Sequence, residues 1–438
     1  MIAQILFIIL LAVAGYVVYK RFMFVKRNIF IGRDIAIDGD KSLRWSTMVR
    51  VALGQGKMFT RPMAAVLHLF VYVGFVIINI EIIEILIDGV FGTHRVLSFL
   101  GPVYSFLIGS FEILAVLVLV AVIAFLARRN ILKLKRFHMR EMTAWPKSDA
   151  NYILVAEIFI MSAFLTMNAA DLVLQEMGSE HYVSAGSYPV SQFIAPLLSG
   201  LSEGALIFVE RFCWWFHIIA IFAFMVYLSY SKHLHIILAF PNTYYSKLKP
   251  AGSFDNLASV TREVKLMLDP NADPYAAPAG DAGAPQRFGA KDVFDLNWVQ
   301  LMNAYSCTEC GRCTSECPAN QTGKLLSPRK IMMDTRDRLE EVGKVMDNNG
   351  GEWKDDGKSL LRDYISEEEL WACTSCNACT EACPVNINPL EIIVDLRRYL
   401  IMEESKSPES ITVMFNNIEN NGAPWAFAAG DRANWRNA

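Results

Sequence analysis

A helix needs about 20 apolar residues to cross the roughly 30 Å hydrocarbon core of a bilayer, and few sequence features restrict a fold more. This chain of 438 residues has five such runs, near 2–19, 63–87, 103–127, 151–173 and 206–230; the first reads IAQILFIILLAVAGYVVY. Hydrophobic residues make up 53% of the chain and charged ones 19%, too apolar for an ordinary soluble protein. The connections alternate in charge. Residues 20–61 hold ten Lys and Arg and 88–102 only Arg95, whereas 128–150 hold seven and 174–205 none. By the positive-inside rule the N-terminus is expected outside and the C-terminal part in the cytoplasm. No basic residue precedes the first run and Lys20-Arg21 follow it, so it is read as a span and not a cleaved signal peptide. A net charge of −3 leaves no footprint of a nucleic-acid binder, and no nucleic-acid partner is expected.

Past residue 239 the apolar runs stop. Residues 240–265 read as a connecting segment, and DPNADPYAAPAGDAGAPQ, rich in Pro, Ala, Gly and Asp, reads as a flexible tether. A compact part is expected to start near Phe288. In it, CTECGRCTSECP (Cys307 to Pro318) and CTSCNACTEACP (Cys373 to Pro384) repeat one spacing, C-x2-C-x2-C-x3-C-P. Eight of the nine cysteines lie in these quartets, with Cys213 elsewhere, so metal ligation in a reducing cytoplasm is the better reading than disulfides. Paired zinc sites are the alternative, since C-x2-C also suits tetrahedral zinc. A full quartet ending in Cys-Pro favours iron–sulfur clusters. In two-cluster ferredoxins the fourth Cys serves the other cubane. By that logic Cys307, Cys310, Cys313 and Cys383 hold one [4Fe–4S], and Cys373, Cys376, Cys379 and Cys317 the second.

The 55 residues between Cys317 and Cys373 include helix-like stretches such as SPRKIMMDTRDRLEEVGKVM. With CGRCTSECPANQTGKLLSPRK and CTSCNACTEACPVNI, residues 291–400 resemble the α-helical dicluster ferredoxins of fumarate reductase, heterodisulfide reductase and the anaerobic glycerol-3-phosphate dehydrogenase iron–sulfur subunit. The expected fold is all-α: a five-helix transmembrane haem b bundle over 1–240, a connector and linker over 241–290, an α-helical 2[4Fe–4S] domain over 291–400, and a partner-docking tail over 401–438.

Four of the seven histidines lie in or beside the apolar runs: His68, His217, His233 and His235. Haem b in a bundle takes two imidazoles from facing helices. His217 and His235 are 18 residues apart, about five turns of one helix, with His233 about 160° off that face. His68, early in the second run, lies towards the cytoplasm, where His235 also emerges. The expected axial pair is His68 with His235, His233 being a substitute for His235 and His217 a further ligand. Packing or solvated histidines are the alternative. The 18-residue spacing, with a His early in the second span, resembles the respiratory nitrate reductase gamma subunit, a five-span bundle with two b haems. That family's second His in the span falls here at Ile78, so one haem b is expected, and two would need another ligand. Glu81, Glu84, Asp88, Glu112, Asp171, Glu210 and Arg211 lie in or near the outer halves of the runs. They either carry protons to or from a quinone or are interfacial side chains bonded to neighbouring helices.

No G-x-G-x-x-G is placed for a nucleotide, so no flavin or nicotinamide domain is expected. SKHLHIILAFPNTYY resembles membrane iron–sulfur oxidoreductases that couple an electron-transfer flavoprotein or a heterodisulfide-type module to menaquinone. There is no Cys-Cys dipeptide of the cysteine-rich catalytic domain of heterodisulfide-type enzymes. The final ENNGAPWAFAAGDRANWRNA resembles the stretch that leads towards that domain in fused relatives. The resemblance therefore implies a separate cysteine-rich subunit, an electron-transfer flavoprotein, or both, as partners in a bacterial cytoplasmic membrane. The expected function is a relay of electrons between such a partner and the quinone pool, with quinone reduction favoured. The rivals are a membrane anchor and relay without its own quinone site, and an iron–sulfur redox sensor.

Overall fold

The computed structural model describes residues 1–37, 39–182, 184–250, 252–271, 287–428 and 430–437, so the tether expected over 269–286 lies, from residue 272 on, outside the described residues. Among the described residues the structure is helical, and extended pairing is confined to two isolated bridges. The chain forms two compact units. One comprises 1–27, 40–244 and 305–311; the other comprises 28–39, 245–304 and 312–438.

Five helices of the first unit are long and apolar enough to cross a membrane: α1 (Ile2–Ile29), α2 (Pro62–Phe91), α3 (Pro102–Asn130), α4 (Ala144–Glu176) and α5 (Glu203–Leu228). The shortest has 26 residues, about 39 Å at ~1.5 Å per residue, so each exceeds the hydrocarbon core. They outrun the apolar stretches because an α-helical hydrogen-bond ladder continues into polar flanks; α1 runs on through Lys20, Arg21, Lys26 and Arg27. Starts and stops follow local chemistry. Pro62 and Pro102 open α2 and α3, where a missing N–H costs nothing. Gly92, at φ +72°, closes α2 by donating its N–H to the Asp88 carbonyl at 2.7 Å.

α4 packs along α5, and α3 against both α2 and α4. Their shared core includes Ile78, Ile108, Phe111, Val118 and Phe164. α1 is anchored by Phe7, which packs with Ile85, Ile218 and Phe222. Gly89 makes room for it, since a Cβ there would sit 2.5 Å from the Phe7 ring. Beyond that contact α1 presents Ile5, Ile8, Ile9 and Val13 outward, an apolar surface of the kind lipid covers.

Where α2, α3 and α4 end on the Arg95 side, the bundle buries a polar network. The Arg95 guanidinium meets the Asp171 carboxylate at 2.5 Å and donates to the Tyr104 hydroxyl and to Asn168 Oδ1, each at 3.0 Å. Asp88 accepts from the Arg95 and Val96 N–H groups, Glu84 from Leu97 N–H and the Tyr104 hydroxyl, and Glu112 from Asn168 and the Val190 and Ser191 N–H groups. Glu210 pairs with Arg211 and accepts from the Tyr182 hydroxyl. Of the two roles expected for these acids, bonding to neighbouring elements is what the geometry displays. Glu81 differs: its buried Oε2 meets no hydrogen-bond partner among the described residues. Arg95→Met would leave the buried Asp171 carboxylate without its cation, with only Gln175 and the Tyr188 hydroxyl donating to it, a loss of about 3–5 kcal/mol. The expected outcome is a lowered unfolding temperature for the detergent-solubilised protein, with unchanged iron and sulfide content.

The second unit gathers α7 (Trp298–Ser306, its last two residues lying with the first unit), α8 (Arg312–Glu316), α9 (Pro318–Gln321), α10 (Pro328–Asn348), α11 (Ala378–Ala382), α12 (Pro389–Met402) and α13 (Glu409–Asn421); α6 (His235–Tyr244) belongs to the first unit. α10 is the helix expected from SPRKIMMDTRDRLEEVGKVM. Ser327 caps it, Pro328 opens it, and Ile331, Thr335, Arg338, Leu339 and Val342 form its buried face. Residues 28–39 pack here too. Arg33 N–H donates to the Leu296 carbonyl at 2.8 Å, Trp298 N–H returns a bond to Arg33 at 3.1 Å, and Asn28 Nδ2 reaches the Leu339 carbonyl at 3.2 Å.

Candidate metal centres

The two quartets share a backbone. Glu309 and Ser375, each just before the second Cys, have φ of +54° and +56°. Gly311 and Asn377, each just after it, have φ of +70° and +60°. Two left-handed residues flanking one Cys curl the chain so that thiols three apart in sequence turn inwards. Each loop feeds a one-turn helix, α8 carrying Cys313 and α11 carrying Cys379, followed by Cys317-Pro318 and Cys383-Pro384. α8 packs on α11. This delivers Cys317 to the other quartet's loop. Cys317, Cys373, Cys376 and Cys379 line one cavity, whose remaining wall includes Leu326, Pro328, Leu390 and Ile393.

The chemistry of this cavity suits an iron–sulfur cluster. Burial pushes the Cys379 thiol up to about 12 and also raises that of Cys373. Four thiolates in an apolar pocket therefore need positive metal to balance them. Among the described residues no three His, Cys, Asp or Glu side chains converge as one ion requires. A cubane asks for something wider, because each thiolate grips a different iron. Backbone N–H groups already point at sulfur: Ser375 N–H to Cys373 Sγ at 3.4 Å and Ile387 N–H to Cys383 Sγ at 3.3 Å. Arg397 donates to the Leu370 carbonyl at 3.0 Å and to the Cys373 carbonyl at 2.6 Å, bracing the loop. Of the other quartet, Cys307 and Cys310 belong to the first unit, and Cys313 and Cys383 to the second. The nine cysteines form no disulfide; Cys213 is buried within the bundle core.

The histidines correct one step of the sequence reading. His217 and His235 do not share a continuous helix, because α5 ends at Leu228 and α6 starts at His235. Nor does His233 point away from His235, whose ring centroid is 5.4 Å from its own. The cause is the Asp149 carboxylate at the start of α4. It accepts from the Tyr227 and Ser231 hydroxyls at 2.6 and 3.2 Å and from Lys232 N–H at 3.4 Å, drawing the chain out of the helix. Ser231 then caps the next turn through His233 N–H at 3.1 Å.

Three imidazoles have a carbonyl oxygen at Nδ1. For His68 it is Gln55 Oε1 at 3.1 Å, for His217 the Ile160 carbonyl at 3.0 Å, and for His235 the Lys232 carbonyl at 3.1 Å. A proton on Nδ1 leaves the lone pair on Nε2, the tautomer an iron ligand needs. His233 is half-buried, and its buried Nδ1 meets no hydrogen-bond partner among the described residues. Burial first, then the neighbouring His235, His68 and Lys232, hold its imidazole well below the usual histidine range. His68, His233 and His235 thus form one neighbourhood. His217 lies apart, buried against Phe164 in the bundle, while Ile78 is buried in the adjoining core. Sequence reasoning missed Gln55, Asp149, Lys232 and Glu309. None carries a pattern of its own; Glu309 lies inside a quartet and Lys232 inside SKHLHIILAFPNTYY, but neither spacing says what these side chains face.

Residues 306–387 match the 4Fe-4S dicluster domain family. Over nearly its whole length the chain is similar to a probable iron-sulfur-binding oxidoreductase, FadF, of Bacillus subtilis, at 29% identity over 98% of this chain and 60% of the relative. It is similar to the EtfAB:quinone oxidoreductase of Syntrophomonas wolfei at 25% identity, over 89% of this chain and 53% of that protein. A shorter similarity, 31% identity over 27% of this chain and 60% of the relative, is to one of the subunits of the ferredoxin/F(420)H(2)-dependent CoB-CoM heterodisulfide reductase of Methanosarcina acetivorans. The chain thus spans just over half the length of the first two relatives. No solved structure matches.

Proposed function

We propose that this chain, related to proteins named as iron–sulfur oxidoreductases, is the membrane electron-transfer subunit of a quinone-linked oxidoreductase. The observation that carries this reading is the cavity in which Cys317 of the first quartet joins Cys373, Cys376 and Cys379 of the second, in a chain with five membrane-length helices. In the second cluster these four thiolates are the ligands. By the repeat, Cys307, Cys310, Cys313 and Cys383 are those of the first. Bound cubanes and haem b supply one-electron carriers, which split a partner's two-electron chemistry into single steps.

The protein's own part is to hold and orient those carriers. His68 and His235 would hold a haem b, each with Nδ1 against a carbonyl oxygen (Gln55 Oε1 and the Lys232 carbonyl) so that Nε2 is left for iron; His233 is the substitute for His235. His217, fixed by Ile160, is the ligand available to a second haem. The N-terminus lies outside and the cluster part in the cytoplasm, at a bacterial inner membrane. Support for this orientation comes from residues 28–39, part of the basic first connection, which pack in the unit that carries the second cluster cavity. The quinone is reached from the membrane bundle. The partner is an electron-transfer flavoprotein, a cysteine-rich subunit of the heterodisulfide reductase kind, or both. The tail offers exposed Val413, Phe415, Trp425 and Phe427 as its docking surface.

Pyridine haemochrome quantitation with iron and sulfide analysis of the detergent-purified protein tests the reading. The expected composition is about eight irons in clusters plus b-type haem, reducible by a quinol analogue. A preparation without b haem overturns the haem assignment, and haem that no quinol reduces overturns the quinone link.

A further inference from the structure

Lys232 sits three residues before His235, and Glu309 sits between Cys307 and Cys310. Their side chains meet: Lys232 Nζ is 2.6 Å from Glu309 Oε2 and 3.7 Å from Asp149 Oδ2, and it donates to the Pro146 carbonyl at 2.7 Å. The Lys232 side chain is 8% exposed and that of Glu309 3%, so the ion pair is desolvated. The loop bearing Glu309, residues 305–311, packs as part of the first unit together with the membrane helices.

The carboxylate is not there for the loop's own conformation. Ser375 holds the same left-handed backbone at the matching place of the second quartet, with φ within 2° of that at Glu309 (+56° and +54°). A non-glycine residue at such a φ carries a modest conformational cost in both loops. Only the first loop adds a buried acid, and that acid faces the cation beside the His68, His233 and His235 cluster. Removing Glu309 would leave Lys232 only the Asp149 carboxylate at 3.7 Å in place of the one at 2.6 Å, and a close desolvated pair of this kind is costly to break.

We propose that Lys232, held by Asp149, and Glu309 form a latch that seats the loop of Cys307 and Cys310 on the histidine end of the bundle, making the cluster that this loop would ligate the one that exchanges electrons with the membrane part. The inference rests on the relay reading above. Cys307 and Cys310 would help to hold the cluster and His68 with His235 the haem, and a single electron would pass between the two centres, one being oxidised as the other is reduced. Glu309 and Lys232 are positioning residues in this scheme, since neither is a ligand.

The test uses Glu309→Ser, which copies Ser375 and so keeps the loop conformation, with Lys232→Met as the second variant. Three readouts are taken on the full chain in detergent: iron and sulfide content, hydrogen exchange of residues 305–311, and redox titration of both clusters by electron paramagnetic resonance. The expected result is unchanged cluster content and exchange in 305–311 faster by about tenfold or more. One cluster's midpoint potential should shift while the other's stays, and haem reduction after rapid cluster reduction should slow by at least about tenfold. Unchanged exchange and unchanged potentials in both variants would overturn the latch, as would equal shifts of both clusters. Wild-type protein without reducible haem refutes the relay, while the exchange and potential data still decide whether the latch seats the loop.

Discussion

Cys317→Ala is expected to strip iron from the cluster proposed for the distant triplet, Cys373, Cys376 and Cys379, and to spare the cluster proposed for the triplet beside it in sequence. Iron per chain falls by between about one and about four, because the iron that loses its thiolate leaves first. The basis is spatial: Cys317 lines the same cavity as that triplet, brought there by the packing of Arg312–Glu316 on Ala378–Ala382. Double variants make the assignment decisive, since two lesions in one site are redundant while lesions in independent sites add. Cys317→Ala combined with Cys376→Ala should still affect one cluster only, a loss of no more than about four irons per chain. Cys317→Ala combined with Cys310→Ala should damage both clusters. The reverse pattern, with Cys317→Ala additive to Cys376→Ala and redundant with Cys310→Ala, would assign Cys317 to its own triplet.

What could be read from the chain depended on how local the governing interaction is. The five spans were legible because lipid imposes its demand on every residue of a run, and all five reappear as helices, each extended into polar flanks. The quartets were legible because thiolate spacing is covalent chemistry, written in a dozen residues. The end of the fifth span was not. It is set by Asp149, 78 residues from Tyr227 and 82 from Ser231, and without that carboxylate the run to His235 reads as continuous helix. The Arg95 network was equally hidden, since Arg95 and Asp171 are 76 residues apart and neither sits in a pattern. The acids around Arg95 were noticed, but which of their two roles they take depends on partners from three other segments. Glu309 was inside the most conspicuous motif and still unread, because a C-x2-C spacing says nothing about what the intervening side chains face.

His68→Ala and His235→Ala are each expected to lower b-type haem by at least about tenfold, with iron and sulfide in the clusters unchanged. His68 enters from the start of the second membrane helix and His235 opens the helix after the fifth. They come from separate elements, as two imidazoles on one haem in a helical bundle would. Both have Nδ1 occupied by a carbonyl oxygen, leaving Nε2 for iron. Gln55→Leu removes the group that orients His68. It should weaken haem retention by about tenfold while leaving the absorption spectrum of the retained haem of the paired-imidazole type, a signature that loss of the ligand itself would not leave. His217→Ala then separates one haem from two. With a single haem held by His68 and His235 it changes nothing in the haemochrome assay, since His217 packs against Phe164 with Nδ1 at the Ile160 carbonyl. With two haems it removes about half of the signal. His233→Ala tests the substitution within the pair of rings 5.4 Å apart. Haem lost in His233→Ala and kept in His235→Ala would move the axial role to His233.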